Sequence, residues 1–155
     1  MKNIKYLVVL LLGVLIVTGC QNKEETKTMT CTRTINQEQA SMDLSYKVTY
    51  TGNYVEKVES IEKVTSKDTS NLATYKEEIE KTYKPYANIK YYDSEVTIDG
   101  NTLTSKVIID YSKIDYKEFT NIDSANSQIF TDDGKVKLET MESLYKQIGA
   151  TCTKK

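Results

Sequence analysis

The clearest pattern in this chain is a strict alternation of apolar and polar residues between positions 42 and 50. The apolar or aromatic positions are Met42, Leu44, Tyr46, Val48 and Tyr50. A period of two predicts a β-strand with one buried face. The turn sequence at 51–53 predicts that residues 54–64 return alongside as a second strand. Because the apolar spacing drifts to three there, we also expect a bulge.

A helical period follows this hairpin. Apolar residues recur at intervals of three and four, which predicts an amphipathic helix. They are Leu72, Tyr75, Ile79 and Tyr83. Residues 68–70 supply capping side chains at its start. Pro85, the only proline, ends it because the residue before a proline is pushed out of helical geometry.

A second hairpin is predicted between residues 89 and 111. Asp99-Gly100 separates two β-rich arms, and this dipeptide is a strong signal for a tight turn. The first arm changes parity between Tyr91 and Val96, which suggests another bulge. A short helix within 114–122 and a polar connection follow.

The last predicted element before the C-terminal segment is a second amphipathic helix, and Gly149 lies where a C-terminal glycine cap belongs. Its apolar positions are Leu138, Met141, Leu144, Tyr145 and Ile148. Hairpins give antiparallel strand pairs, whereas parallel strands need crossover connections. We therefore predict an α+β fold, with an antiparallel β-sheet built from hairpins and two main amphipathic helices packed on one face. Residues 31–155 suit one domain of ordinary size.

The opening of the chain has the composition of an export signal. Lys2 and Lys5 precede an uncharged run of 11 residues at 7–17. This run is shorter than the ~20 apolar residues that cross a bilayer. A basic start, a short apolar middle and small residues at its end are typical of a secretory signal peptide. The run leads into Val-Thr-Gly-Cys at positions 17–20, which resembles the lipobox of bacterial lipoproteins.

The lipobox resemblance implies a location. The thiol of Cys20 would receive a diacylglyceryl group, residues 1–19 would be removed as a signal peptide, and acyl chains such as palmitate would anchor the protein to the extracytoplasmic face of a bacterial membrane. Two acyl chains anchor stably where one binds marginally. Residues 20–30 would be the lipidated cysteine and a flexible polar tether. The alternative is an ordinary signal peptide with an incidental cysteine, or an uncleaved anchor.

The net charge argues against one class of partner. Loss of residues 1–19 removes two lysines, which leaves 19 basic residues (21 − 2) against 22 acidic ones, a balance of −3. A nucleic-acid binder would show a basic patch, so we expect no nucleic acid. The partners expected instead are the membrane, through Cys20, and a cell-envelope protein or glycan. The oligomeric state stays open.

Cys31 and Cys152 are the two cysteines left once Cys20 is lipidated, one near each end of the predicted domain. Exported chains meet oxidising conditions, so an even pair predicts a disulfide. Two free thiols or a redox pair are the alternatives. No Cys-x-x-Cys motif is present to favour redox work.

The sequence contains no histidine. This excludes Ser-His-Asp and Cys-His catalysis and histidine-bearing zinc or iron sites. Glycine-rich phosphate motifs are also missing. We therefore predict no enzyme, no cofactor and no metal site. Carboxylates could still act as they do in glycosidases, although exposed strand edges and turns are the simpler interpretation. The candidates are Asp93, Glu95, Asp99, Asp110 and Asp115.

The chain has 12 tyrosines and no tryptophan. Four of the tyrosines cluster in sequence around the second hairpin: Tyr91, Tyr92, Tyr111 and Tyr116. Their large rings with polar tips are a candidate binding surface for peptide, glycan or protein. The alternative is that tyrosine, a preferred strand residue, fills the core with its hydroxyl at the rim.

The order of these elements resembles the YehR-type lipoproteins, a small bacterial family that carries a domain of unknown function. The resemblance rests on the lipobox, on Tyr-Thr-Gly-Asn-Tyr-Val-Glu-Lys at 50–57 and on Asp-Tyr-Ser-Lys-Ile-Asp at 110–115, and it covers nearly all of the chain after residue 19. It implies a compact α+β lipoprotein domain. It implies no activity and no catalytic residue.

Three classes of function follow, each with its own structural requirement. The first is a lipid-anchored, non-catalytic binding or accessory module, which needs an exposed apolar or tyrosine-rich patch on the free sheet face. The second is a carrier for a small apolar or lipid ligand between sheet and helices, which needs an enclosed, mostly apolar cavity of roughly 300 Å³ or more. The third is a carboxylate-based envelope hydrolase, which needs two carboxylates in one cleft.

Overall fold

The alternating segments form one antiparallel sheet in a computed structural model of the protein, which describes residues 24–155. The strands are β1 (Thr26–Asn36), β2 (Ala40–Thr51), β3 (Tyr54–Ser66), β4 (Tyr92–Asp99), β5 (Thr102–Asp110), β6 (Val136–Lys137) and β7 (Thr151–Lys154). The helices are α1 (Ser70–Tyr83), α2 (Tyr116–Ile122) and α3 (Leu138–Gln147). Neighbouring strands follow the order β4-β5-β3-β2-β1-β7, and β6 pairs with the start of β3. The predicted α+β class is confirmed.

Both long helices cover the same face of this sheet. Val58 and Val64 lie six residues apart on β3, so their side chains share one face. Val64 clusters with Leu72 of α1, whereas Val58 clusters with Met141 of α3. The two helices therefore pack on the same face through separate core clusters, α1 towards the β5 side and α3 towards the β1 side. We call this covered side the helix face.

The bulge predicted in the first hairpin is present. Thr49 pairs with Lys57, but Tyr50 pairs with Val55, so Glu56 is the extra residue of β3. The prediction of a bulge in the second hairpin is wrong, because β4 and β5 pair without a shift in register. The apparent change of parity arises because Tyr91 precedes β4 with a φ of 69° and does not belong to the strand.

The helix boundaries follow the predicted signals. The Asp68 carboxylate accepts hydrogen bonds from the backbone N–H and the hydroxyl of Ser70, at 3.0 and 2.6 Å, just where α1 begins. A 3-10 helix at Lys84–Tyr86 contains Pro85 and follows α1 directly. Lys84 keeps helical dihedral angles (φ −49°, ψ −42°), so the prediction that the residue before Pro85 leaves helical geometry is wrong, and only the type of helix changes there. After α3, Gly149 adopts a φ of 82°, a conformation that favours glycine, and this reverses the chain into β7.

Residues 26–30 were predicted as part of a flexible tether but lie in a strand. They belong to β1, which pairs with β2 from Thr26 opposite Thr51 to Asn36 opposite Ser41. The sheet therefore begins five residues before the predicted domain boundary at residue 31. Threonine occupies every second position from 26 to 34 on the solvent-facing side, so the segment has the polar composition of a linker.

Cys31 and Cys152 lie directly opposite each other in the β1–β7 pair and form a disulfide, as predicted. Their Cα atoms are 4.0 Å apart, and 121 positions separate the two residues along the chain. Cys31 has no exposed surface. The bond ties the C-terminal strand to the first strand of the sheet.

The predicted lipidation site, Cys20, lies outside the described residues. Within residues 24–155, no helix has the length and apolar character needed to cross a bilayer.

Candidate binding sites on the helix face

The four tyrosines near the second hairpin do not form one exposed surface. Tyr92 is buried. Tyr111 packs edge-on against Phe119, and burial raises the pKa of its hydroxyl. Tyr116 lies against Gly134. Only Tyr91 is exposed, with its ring 4.9 Å from Lys90 Nζ and 5.6 Å from Lys113 Nζ. The core-filling interpretation therefore describes Tyr92 and Tyr111.

The sheet face opposite the helices is polar. On β1, β2 and β5 it carries mainly threonine, serine and charged side chains, because the apolar residues of these strands have the other parity. Ile61 and Ile108 are exceptions on this face, and both are half-buried. Within the described residues this face therefore lacks the apolar or tyrosine-rich patch that a docking surface of the first predicted class requires.

The candidate carboxylates have structural roles or exposed positions. Asp93 and Glu95 are exposed on β4. Partial burial acts to raise the pKa of Asp110, but hydrogen bonds from Lys113 and Ser112 outweigh it and lower the pKa. Asp115 caps α2 by accepting from two backbone N–H groups, at 3.0 and 3.2 Å. Among residues 24–155, no group of three or more Cys, Asp or Glu side chains is placed to hold a metal ion.

An open groove of about 600 Å³ lies between α1 and the neighbouring ends of β1, β2 and β3. We call it the apolar groove. It exists because α1 packs over β3, β5 and β4, which leaves helix-face positions of β1 and β2 uncovered at this end. Ile35 and Met42 occupy those positions and lie directly opposite each other. Val64 and Leu72 complete the apolar lining.

Polar groups surround the mouth of the apolar groove. They include Gln37, Gln39, Ser66, Asp68 and Asn71. Hydrogen bonds from Ser70 lower the pKa of Asp68, so this carboxylate is charged at neutral pH. An apolar interior with a few polar groups at the rim is the usual composition of a small-molecule site.

A second cavity of about 360 Å³ lies further along the helix face. We call it the tyrosine pocket. Its aromatic lining comes from Tyr46 on β2, Tyr83 on α1, Tyr86 on the 3-10 helix and Tyr92 on β4, and Glu62 of β3 supplies a carboxylate. The hydroxyl of Tyr75, which lines the apolar groove, donates to Glu62 Oε1 at 2.5 Å. This hydrogen bond joins the linings of the two cavities.

The tyrosine hydroxyls around Glu62 are protonated at neutral pH. Burial is the main reason that the pKa values of Tyr46, Tyr75 and Tyr83 are raised, and the negative charge of Glu62 adds to the effect. Tyr83 Oη lies 2.7 Å from Ser105 Oγ. These groups therefore act as hydrogen-bonding hydroxyls, which argues against a tyrosinate nucleophile.

Sequence reasoning missed Ile35, Tyr83 and Glu62 as site residues. In the sequence, the positions of Tyr83 and Met42 indicate only the apolar side of a helix and of a strand. No local signal links these residues, since they come from different elements that meet only in the folded protein.

Two solved structures share this fold, while no protein-family model and no curated protein sequence matches the chain. The NMR structure of the E. coli YehR protein is 26% identical, covers 84% of this chain and 91% of that chain, and has a TM-score of 0.51. The NMR structure of a protein from Streptococcus pneumoniae TIGR4 is 14% identical over 84% of this chain and 87% of that chain, with a TM-score of 0.54. The chain thus has a YehR-like fold, and both neighbours are proteins of unknown function.

Proposed function

We propose that this protein is a YehR-type, lipid-anchored extracytoplasmic lipoprotein that binds, without catalysis, a small ligand with an apolar group in the apolar groove. The observation that carries the binding role is the groove itself. Its volume of about 600 Å³ exceeds the roughly 300 Å³ of the smallest typical ligand sites. The groove is open and not enclosed as expected of a carrier, but its apolar lining and the polar free sheet face favour the carrier class over protein docking.

The energetics suit an acyl or similar hydrocarbon group. Burial of each methylene contributes about 0.8 kcal/mol, so six methylenes contribute about 5 kcal/mol before the cost of ordering the ligand. Leu72 is almost fully buried and belongs to the core, so part of the lining is in place before a ligand arrives. Asp68 and the amides at the rim stay in water and suit a polar end of the same ligand.

The anchoring part of the proposal rests on Cys20 and its flanking residues. The Cys31–Cys152 disulfide supports an oxidising compartment outside the cytoplasm. Mass spectrometry of the native protein should find a diacylglyceryl group on Cys20 and no residues before it. An unmodified thiol there would contradict the anchoring but leave the groove untouched.

Titration of the protein with a dansyl-labelled undecanoic acid, followed by fluorescence, tests the groove. Met42→Gln keeps the side-chain size but places an amide in the lining, so we expect binding to weaken about tenfold. Ile61→Gln is the matched control, because Ile61 is also half-buried but lies on the opposite face of the sheet. Equal affinities for Met42→Gln and the wild type, with both proteins folded by circular dichroism, would exclude the groove as the site.

A further inference from the structure

We infer that the tyrosine pocket is a second binding site, for a small alkylammonium cation. This goes beyond the proposed apolar ligand and depends on a different cavity. The pocket combines an aromatic wall with one carboxylate, and this is the combination that recognises organic ammonium groups in proteins.

Three aromatic rings of the pocket, those of Tyr86, Tyr92 and Phe119, contact one another. The rings of Tyr86 and Tyr92 are stacked with their centroids 5.1 Å apart, and Tyr86 lies 5.3 Å from Phe119. Tyr46 and Tyr83 line other parts of the same cavity. Aromatic faces carry negative electrostatic potential, so a cation gains from contact with several of them where water is displaced.

The fixed charge of the pocket is negative. Glu62 is the one charged side chain in its lining. The Tyr75 hydroxyl donates a hydrogen bond to Glu62 Oε1. Within residues 24–155, neither a lysine nor Arg33 forms an ion pair with this carboxylate. Arg33 lies two strands away on the helix face, and its guanidinium donates to the carbonyl of Ile148 at the end of α3. The pocket therefore favours a cation and disfavours an anion.

The protein's own cations do not fill the pocket. Across the part of the chain that the structure describes, the lysine–ring contacts involve Tyr91 and Tyr54, which are both exposed. None of the described lysine–ring contacts therefore involves a ring of the pocket. A volume of about 360 Å³ accommodates a trimethylammonium group with a short substituent.

Three tyrosine hydroxyls in or beside the pocket already have hydrogen-bond partners, which favours a ligand that does not need them. Tyr83 is bonded to Ser105, Tyr75 donates to Glu62, and Tyr86 accepts from Asn126 Nδ2 at 3.0 Å. A sugar would need these groups as partners for its own hydroxyls. A methylated ammonium group needs only the ring faces and the carboxylate, so it fits the pocket without breaking these bonds.

The test compares choline with its uncharged isostere 3,3-dimethyl-1-butanol. The full chain, labelled with ¹³C on its tyrosine rings, is titrated with each compound at constant ionic strength. We expect choline to shift the signals of Tyr83 and Tyr92 in a saturable manner, and the isostere to bind about tenfold more weakly. Equal binding of the two, or no shift with choline, would overturn the inference.

Two variants and a control assign the effect to the pocket. Glu62→Gln retains an acceptor for Tyr75 but removes the charge, and choline binding should weaken about tenfold. Glu59→Gln removes a carboxylate from the same strand on the opposite face and should leave binding unchanged.

Tyr86→Leu should weaken the binding of choline but not of the isostere, which keeps the test decisive if Glu62→Gln does not fold. Wild-type affinity in folded Glu62→Gln would overturn the site. The dansyl-undecanoate titration reports separately on the apolar groove.

Discussion

The two ends of the helix face differ in how completely they are covered. At the α3 end, Met29, Cys31 and Val48 have no exposed surface, and Tyr145 of the helix stacks on Tyr46 with ring centroids 4.2 Å apart. At the α1 end, the corresponding positions of β1 and β2 face an open groove. Packing is therefore tightest at one end of the sheet, and the proposed ligand site lies at the other.

The physical basis of this difference is the number of elements that meet at each end. The α3 end is closed by β6, by α3 and by β7, which the Cys31–Cys152 disulfide holds against β1. The α1 end has one helix, and it is displaced towards β4 and β5. Leu72 and Ile79 of that helix are buried, whereas within residues 24–155 no helix covers Ile35, which stays half-buried beside the groove.

Removal of the disulfide should have the largest effect and should act on the closed end. In the chain-entropy model, a bond that closes a loop of about 100 residues contributes about 4–5 kcal/mol. We expect the double variant Cys31→Ala, Cys152→Ala to lose about 3–5 kcal/mol in the free energy of unfolding, measured with urea. At temperatures where it remains folded, its affinity for dansyl-undecanoate should match the wild type. A parallel loss of affinity would show that the two ends are not independent.

Two methionines on neighbouring strands compare the ends directly. Met29 is fully buried at the α3 end, whereas Met42 is half-buried and lines the groove. Met29→Ala should reduce the free energy of unfolding by about 2–4 kcal/mol because it leaves a cavity. Met42→Ala should reduce it by less than about 1 kcal/mol, since water fills the open groove. Equal losses in urea denaturation would contradict the proposed difference in packing.

Acidification should have the smallest effect and should act at both ends. Hydrogen bonds from Lys146 and Lys154 lower the pKa of Glu142 on α3. Hydrogen bonds from Ser70 lower the pKa of Asp68 at the start of α1. When folding lowers the pKa of a carboxylate, the carboxylate stabilises the folded protein. This stabilisation is complete above the pKa of the unfolded chain, about 4 for these residues. It is lost as the pH falls through the lower pKa of the folded protein.

Glu142→Gln and Asp68→Asn should therefore each lose stability relative to the wild type at pH 7, and this difference should shrink as the pH falls through the lowered folded pKa values. Thermal unfolding over a series of decreasing pH values measures this. Because both sites are near the surface, the shifts should be small. A difference that persists unchanged at low pH would show that the charges do not contribute.

Most of the fold was predictable because its signals are local. The alternation in β2, the Asp99-Gly100 turn, Pro85 after α1 and Gly149 after α3 each depend on a few adjacent residues. The strand β1 was missed, since its exposed threonines and Arg33 hide a buried set that consists of Met29 and Cys31. Its identity as a strand depends on β2 and β7, which lie on either side of it.

The candidate sites were less predictable. Tyr91, Tyr92, Tyr111 and Tyr116 are close in sequence, but the turn at Tyr91 and the packing of Phe119 place them in different environments. The tyrosine pocket instead draws on residues from several elements that are distant in sequence. Proximity along the chain indicates a shared surface only within one element.

The amino-acid sequence by itself determined the main strands and helices, the lipobox-like Val-Thr-Gly-Cys at positions 17–20, the absence of histidine and the prediction that Cys31 pairs with Cys152. The tertiary structure alone decided that α1 packs towards β4 and leaves Ile35 and Met42 uncovered, and that Glu62 lies among tyrosines. The reason is physical: a hydrophobic period shows which side of an element is buried, but the partner on that side depends on how all the elements pack together.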